Sequence, residues 1–141
     1  MRAVVQRVSQ ARVTVDGKVI GEIGQPGLLI LLGVTHTDTA ADASALARKI
    51  WQLRIMREER SASELGAPIL VISQFTLYAD TRKGRRPSWS KAAPTEVSEP
   101  RYNEFCQELR ALGANASTGI FGAMMDVALV NDGPMTLIVD T

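Results

Sequence analysis

The chain has 141 residues, enough for one domain that buries a core without disulfide or metal staples. Hydrophobic residues make up 45% and charged residues 22%, ordinary values for a soluble globular protein. A net charge of +1 excludes a molecule that traps nucleic acid by its overall field, and no apolar run approaches the ~18 residues that span a bilayer.

Arg2, Gln6 and Arg7 interrupt the start of the chain, so no signal-peptide pattern is present and a cytoplasmic protein is expected. The first third reads as strands. Val13-Thr14-Val15 alternates, Asp16-Gly17 is a two-residue hairpin turn, and Val19-Ile20 resumes beyond it. Gly24 to Gly27, with Pro26, punctuates again before Leu28 to Val34, an apolar run of buried-strand type. Asp38 or Thr39 caps a helix whose inward stripe is Ala43, Leu46, Ala47, Ile50 and Leu53. Arg57 to Ala67 is polar and lacks apolar period, which predicts a loop or a frayed helix end. Pro68 closes it, and Ile69 to Ile72 opens a central strand that carries Ser73-Gln74-Phe75-Thr76.

Asp80 to Ala93 is a basic loop. Arg82, Lys83, Arg85, Arg86 and Lys91 fall within ten residues that contain no acid after Asp80. A solvated loop is the common fate of such a run; Pro87 and Trp89 inside it fit a phosphate-contacting loop with a stacking side chain better. Thr95 or Ser98 starts a second main helix with Tyr102, Phe105, Leu109 and Leu112 on one face and Gly113 at its end. The single cysteine, Cys106, lies in that helical pattern and is expected as a packed thiol. Strands are expected around Ser117 to Phe121, from Asp126 to Val130, and from Met135 to Asp140. The Gly133-Pro134 step launches the last of these. Proline lowers the cost of a cis amide to roughly 0.5–1 kcal/mol and glycine frees φ. The step can therefore fix an unusual carbonyl direction, although read alone it is a turn. The whole predicts a single domain over residues 1–141, α/β in class, with a mixed, largely antiparallel or barrel-like sheet and about two main helices.

Few chemistries remain open. One histidine and one cysteine exclude a His/Cys zinc site. A Ser or Cys triad would have to use His36, whose place between Thr35 and Thr37 suits a capping or surface role. There is no P-loop and no dinucleotide fingerprint, so neither metal nor cofactor is expected. Ser73 and Gln74 read as strand-end hydrogen-bonding groups. Thr76 has no base near it in sequence, and an unactivated hydroxyl is a weak nucleophile. Phe121-Gly122-Ala123-Met124 suits either a core strand with a glycine bulge or a surface where a purine stacks and approaches the backbone. Arg7 alone reads as a surface-strand arginine.

Read together, Ser73 to Asp80 (SQFTLYAD) and Asn131 to Thr136 (NDGPMT) resemble the D-aminoacyl-tRNA deacylases. So do Met1 to Val8, Leu31 to Val34, Lys83 to Ser88 and Gly119 to Met125, in the family's order and nearly end to end. The resemblance departs at Met56 to Pro68, which is shorter than the family pattern. It implies a homodimeric proofreading esterase that removes D-amino acids, and glycine, from the 3′-terminal adenosine of aminoacyl-tRNA, using the RNA 2′-hydroxyl and main-chain contacts. By resemblance, Ser73, Gln74, Phe75 and Thr76 line the pocket beside the ester, and Phe121, Gly122, Ala123 and Met124 form the adenosine pocket. Gly133 and Pro134, in the cis form, enter the pocket of the other subunit as a wall against L-amino acids, with Arg7 bracing them. Arg82, Lys83, Arg85 and Arg86 of the basic loop are then expected to bind the tRNA. The rival readings are a non-catalytic tRNA-binding module, a hydrolase of free N-acyl or D-amino acid derivatives that would need its own base or metal, and an inert β-rich dimer.

Overall fold

A computed structural model describes all 141 residues. Its sheet has six strands: β1 (Arg2–Val15), β2 (Lys18–Ile23), β3 (Gly27–Gly33), β4 (Ile69–Ser73), β5 (Ala116–Thr118) and β6 (Asp126–Asp140). The helices are α1 (Ala40–Gln52), the short α2 (Ala62–Leu65) and α3 (Thr95–Ala111), with 3-10 turns at Arg57–Glu59 and Phe75–Tyr78. The strand order is β2-β1-β3-β4-β5, with β6 added to the other side of β1. The three ladders of β1 are antiparallel, while β3-β4 and β4-β5 are parallel. The expected mixed α/β class holds, and the sheet curls into a nearly closed barrel.

Closure follows from one close approach. Strands β2 and β5 end the main path, and at Gly21 an added methyl would lie 2.7 Å from the Thr118 carbonyl oxygen. Only a residue without a side chain lets the two edges meet there. Inside the barrel Val8, Val13, Ile23, Leu29, Leu70 and Ile72 form one buried cluster. On the outer face Leu28, Ile30, Leu32, Ile69 and Val71 join Leu46, Ile50, Phe105 and Leu109 from α1 and α3 in the larger one. Alternate residues of β3 and β4 thus serve opposite faces, both covered, which is why these strands read as unbroken apolar runs.

Helix α1 starts where expected. Thr39 caps it in a reciprocal box with Asp42, and Ala43, Leu46, Ala47 and Ile50 are its buried stripe, while Leu53, expected with them, is the extended residue that ends the helix. Helix α3 begins at Thr95 and buries Tyr102, Phe105, Cys106 and Leu109.

Four expectations need correction. The segment Arg57 to Ala67 is not a plain loop: Ser61 and Glu64 form a second capping box and set the single turn of α2, a Ser-x-x-Glu signal present in the sequence. The strand expected around Ser117 to Phe121 stops at Thr118, and Gly119 to Met125 is a loop. Beyond Ser73 the central strand gives way to the 3-10 turn over Phe75–Tyr78. Finally, Asp126 to Val130 and Met135 to Asp140 are one strand, not two joined by a turn. Both halves pair antiparallel with β1, so the chain never reverses at Gly133-Pro134; it bulges.

Candidate active site

Strands β3 and β4 end together, with Leu32 opposite Ser73. The chain leaving β4 therefore passes directly over the end of β3. Gln74 donates its backbone N–H to the Leu32 carbonyl at 2.8 Å, and the Phe75–Tyr78 turn folds back against Gly33. A methyl at Gly33 would sit 3.1 Å from the Gln74 carbonyl oxygen and 3.1 Å from Leu77 Cβ, so this close approach sets where the turn lies. The first amides of a helical turn have no partner within it. Those of Phe75 and Thr76 donate to no carbonyl elsewhere in the chain and stay available to an outside acceptor. The Gln74 side-chain amide donates to the Thr76 hydroxyl.

The Gly119 to Met125 loop faces this turn across a pocket of about 520 Å³. Ser73, Gln74 and Phe75 line it together with Phe121, Gly122, Ala123, Met124 and Met125. Two blocks more than 40 residues apart in sequence are thus brought to one cavity by the parallel β4-β5 pairing. Its floor includes Tyr102, whose hydroxyl donates to the Val71 carbonyl at 2.9 Å and whose ring lies 5.7 Å from that of Phe121. Burial pushes the Tyr102 hydroxyl far above the ordinary tyrosine range. On the rim Trp89 meets Phe75 edge to face, with ring centres 5.3 Å apart, and Met124 is 91% exposed. The polar side chains of the lining are Ser73, Gln74, Thr95, Ser98 and Tyr102; no acid, histidine, lysine or arginine lines the pocket.

Thr76 lies beside this cavity, outside its lining. His36 is also outside: its Nε2 bonds the Ser90 carbonyl at 3.0 Å, while Thr35 donates to the Lys91 carbonyl at 2.6 Å. Together they anchor the end of the basic loop to the connector after β3. Cys106 is a packed thiol in α3, and burial pushes it up to about 11.

The basic loop is closed at its neck by two backbone hydrogen bonds between Asp80 and Ser88, 2.8 and 2.9 Å long. Arg82 forks onto the Asp80 carboxylate, whose hydrogen bonds from Arg82 hold it well below the usual carboxylate range. Lys91 stands 3.7 Å from the same group. Lys83, Arg85 and Arg86 are exposed and paired with no acid. Arg82 is thus charge-compensated within the loop, and the other three present the free positive charge.

Gly133 and Pro134 lie apart from the pocket of their own chain. Their peptide bond is cis. Arg7, read in isolation as a surface residue, is 6% exposed. Its guanidinium donates to the carbonyls of Asp132 (3.1 Å), Gly133 (3.4 Å) and Ile55 (3.0 Å). Sequence reasoning missed three neighbours of this bulge, Asn131, Asp132 and Arg57, and it treated Tyr102 only as core. Position within the NDGP block was the one available signal for the first two.

Residues 4–140 match the family described as D-Tyr-tRNA(Tyr) deacylase. The chain is 63% identical over 140 residues to a D-aminoacyl-tRNA deacylase of Thermobifida fusca (strain YX), covering 99% of each chain. It is 62% identical over 141 residues to the corresponding protein of Cutibacterium acnes (strain DSM 16379 / KPA171202), covering 100% of this chain and 97% of that one. Among solved structures, the c-Myc DNA Unwinding Element Binding Protein shares the fold with a TM-score of 0.92 and 40% identity, over 100% of this chain and 99% of that one.

Proposed function

The chain belongs to the D-Tyr-tRNA(Tyr) deacylase family, and on that premise we propose that it hydrolyses the ester of D-aminoacyl-tRNA to free D-amino acid and tRNA. The observation that carries this reading is the pocket that joins the Ser73-Gln74-Phe75 turn to the Phe121 to Met125 loop. It is apolar enough to hold a nucleoside between Phe121 and the Gly122-Ala123 backbone. The free amides of Phe75 and Thr76 stand at its edge as oxyanion donors, each worth roughly 3–4 kcal/mol to a developing negative charge. Hydrolysis of D- and L-aminoacyl-tRNA in parallel by the purified protein tests the assignment. Release from the D-ester alone is expected; binding without turnover would favour a non-catalytic tRNA-binding module.

No acid, histidine, lysine or arginine lines the pocket, and its one titratable hydroxyl, Tyr102, is buried and donates to the Val71 carbonyl. In the proposed mechanism the attacking water is therefore oriented by the 2′-hydroxyl of the terminal adenosine, and the protein contributes position and dipoles. Replacing His36 and Cys106 together by Ala is expected to leave the rate within about threefold of the parent. A fall of ~10³ would reveal a side-chain base after all.

Chirality is read by the Gly133-Pro134 backbone of a second copy. Edge strand β6 supports this arrangement: its 15 residues pair only with β1, leaving the other edge open, and outward-facing Val130 and Ile138 are exposed. Long unpaired apolar edges favour association with another chain. A wall of main-chain carbonyls accepts the α-ammonium and excludes an L side chain whatever its identity. For the same reason it cannot exclude glycine, so glycyl-tRNA is a second substrate.

Lys83, Arg85 and Arg86 contact phosphates of the acceptor end in this reading, and Arg82 shapes the loop through Asp80. Arg85→Gln with Arg86→Gln is expected to weaken tRNA binding and to lower the slope of log K against log salt by about 1 to 2, with turnover at saturation retained. An unchanged slope would mean that RNA is held elsewhere.

A further inference from the structure

The bulge that carries Gly133-Pro134 lacks the bonds that normally shape a strand. Gln6 pairs with Thr136 and Val8 with Asn131, so Asp132 to Met135 loop out opposite Arg7 alone. Ladder hydrogen bonds are interrupted in such a segment, and side chains have to define it. Asn131 closes its neck, donating from Nδ2 to the Arg7 carbonyl at 2.9 Å and the Met135 carbonyl at 3.2 Å. Arg7 supports it from the buried side. A third contact comes from outside both strands: Arg57, on the 3-10 turn over Arg57–Glu59, forks onto the Asp132 carboxylate. Its Nε lies 3.1 Å from Oδ2, and its Nη2 donates to Oδ1. Arg7 Nε also approaches Asp132 Oδ2 at 3.0 Å. One carboxylate, adjacent in sequence to Gly133, is therefore shared between a buried and an exposed guanidinium, which hold it below the usual carboxylate range, Arg57 more strongly.

We propose that Arg57, acting through Asp132, is a positioning residue for the Gly133-Pro134 wall. The inference rests on the reading of that wall as the chirality filter. None of the three residues of the turn bearing Arg57 is buried, and its side-chain hydrogen bonds to β6 are those of this fork. Arg57 is 72% exposed in its side chain, so the pair adds little to global stability. What it fixes is the lateral placement of a segment without a ladder, to which a stereochemical filter is most sensitive. Lysine at this position keeps the charge but loses the planar fork.

The test compares D-over-L preference on aminoacyl-tRNA, together with melting temperature, for Arg57→Ala, Arg57→Lys, Asp132→Asn and Gly133→Ala. Arg57→Ala is expected to lower the preference about fivefold, the upper range for an exposed pair, with melting unchanged. Arg57→Lys should recover only part of it. The effects of Asp132→Asn and Arg57→Ala should combine to less than their sum, because both break the Arg57 fork, while Asp132→Asn also gives up the charge that faces Arg7. If Gly133→Ala shifts the preference and Arg57→Ala does not, the wall stands and the positioning role is overturned. If neither shifts it, the filter reading falls and takes the role of Arg57 with it.

Discussion

Gly133→Ala is expected to reduce D-aminoacyl-tRNA hydrolysis about a hundredfold while leaving the fold intact. The two halves of that expectation have separate grounds. An added Cβ at Gly133 meets only Asn131 Oδ1, at 3.7 Å, an ordinary van der Waals contact. Gly133 is not among the glycines with positive φ, so alanine fits the backbone it finds. Replacing glycine where the conformation suits alanine typically stabilises by about 0.4–1 kcal/mol through the unfolded chain. Melting temperature should therefore hold or rise slightly. The methyl instead projects from a bulge that, in the proposed dimer, stands against the substrate in the pocket of the second copy. Displacements of about 1 Å at a reacting centre cost on the order of 10²-fold in rate. Single-turnover hydrolysis and thermal unfolding on the same preparation separate the two effects. Parent-like activity would show that the bulge never reaches substrate, and the C-terminal motif would be a structural feature of β6.

The second large effect concerns the substrate. D-aminoacyl-tRNA esterified through the 3′-oxygen of a terminal 2′-deoxyadenosine is expected to bind within a few-fold of the natural substrate and to turn over about 10³-fold more slowly. Positioned acid-base groups contribute about 10²–10⁴-fold, and no carboxylate, imidazole or amine lines the pocket to replace the hydroxyl. Tyr102 is committed to the Val71 carbonyl, and burial opposes its ionisation. The Thr76 hydroxyl takes the Gln74 amide, and His36 is engaged at Ser90. Unchanged turnover with the deoxy substrate would transfer catalysis to a protein group and end the RNA-assisted mechanism.

These experiments act at two levels. The deoxy substrate and the His36/Cys106 variant ask how the ester is broken, while Gly133, Arg57 and Asp132 ask how the enantiomers are distinguished. In the proposed filter, support comes from residues that touch no substrate, the buried Arg7 and the exposed Arg57 that converge on one bulge.

Much of this molecule was legible in one dimension wherever a local rule had no competitor. Asp16-Gly17 specified a hairpin, Thr39 with its Ala43-Leu46-Ala47-Ile50 stripe specified α1, and the apolar runs at Leu28 and Ile69 specified strands covered on both faces. The ordered blocks SQFTLYAD, FGAMM and NDGPMT carried the family. The single histidine and single cysteine limited the chemistry. Tertiary structure decided what depends on partners distant in sequence. Phe121 leaves its strand because β4-β5 pairing ends at Thr118 and the loop beyond it folds over the pocket. Residues 126–140 form one strand because β1 is long enough to pair with both halves, which turns an apparent turn at Gly133-Pro134 into a bulge. Arg7 is buried only because Asp132, Gly133 and Ile55 converge on it, and Arg57 meets Asp132 across 75 positions of sequence. Propensity and periodicity report a residue's neighbours along the chain; the β4-β5 pairing and the register of β1 with β6, which no local signal encodes, set these contacts.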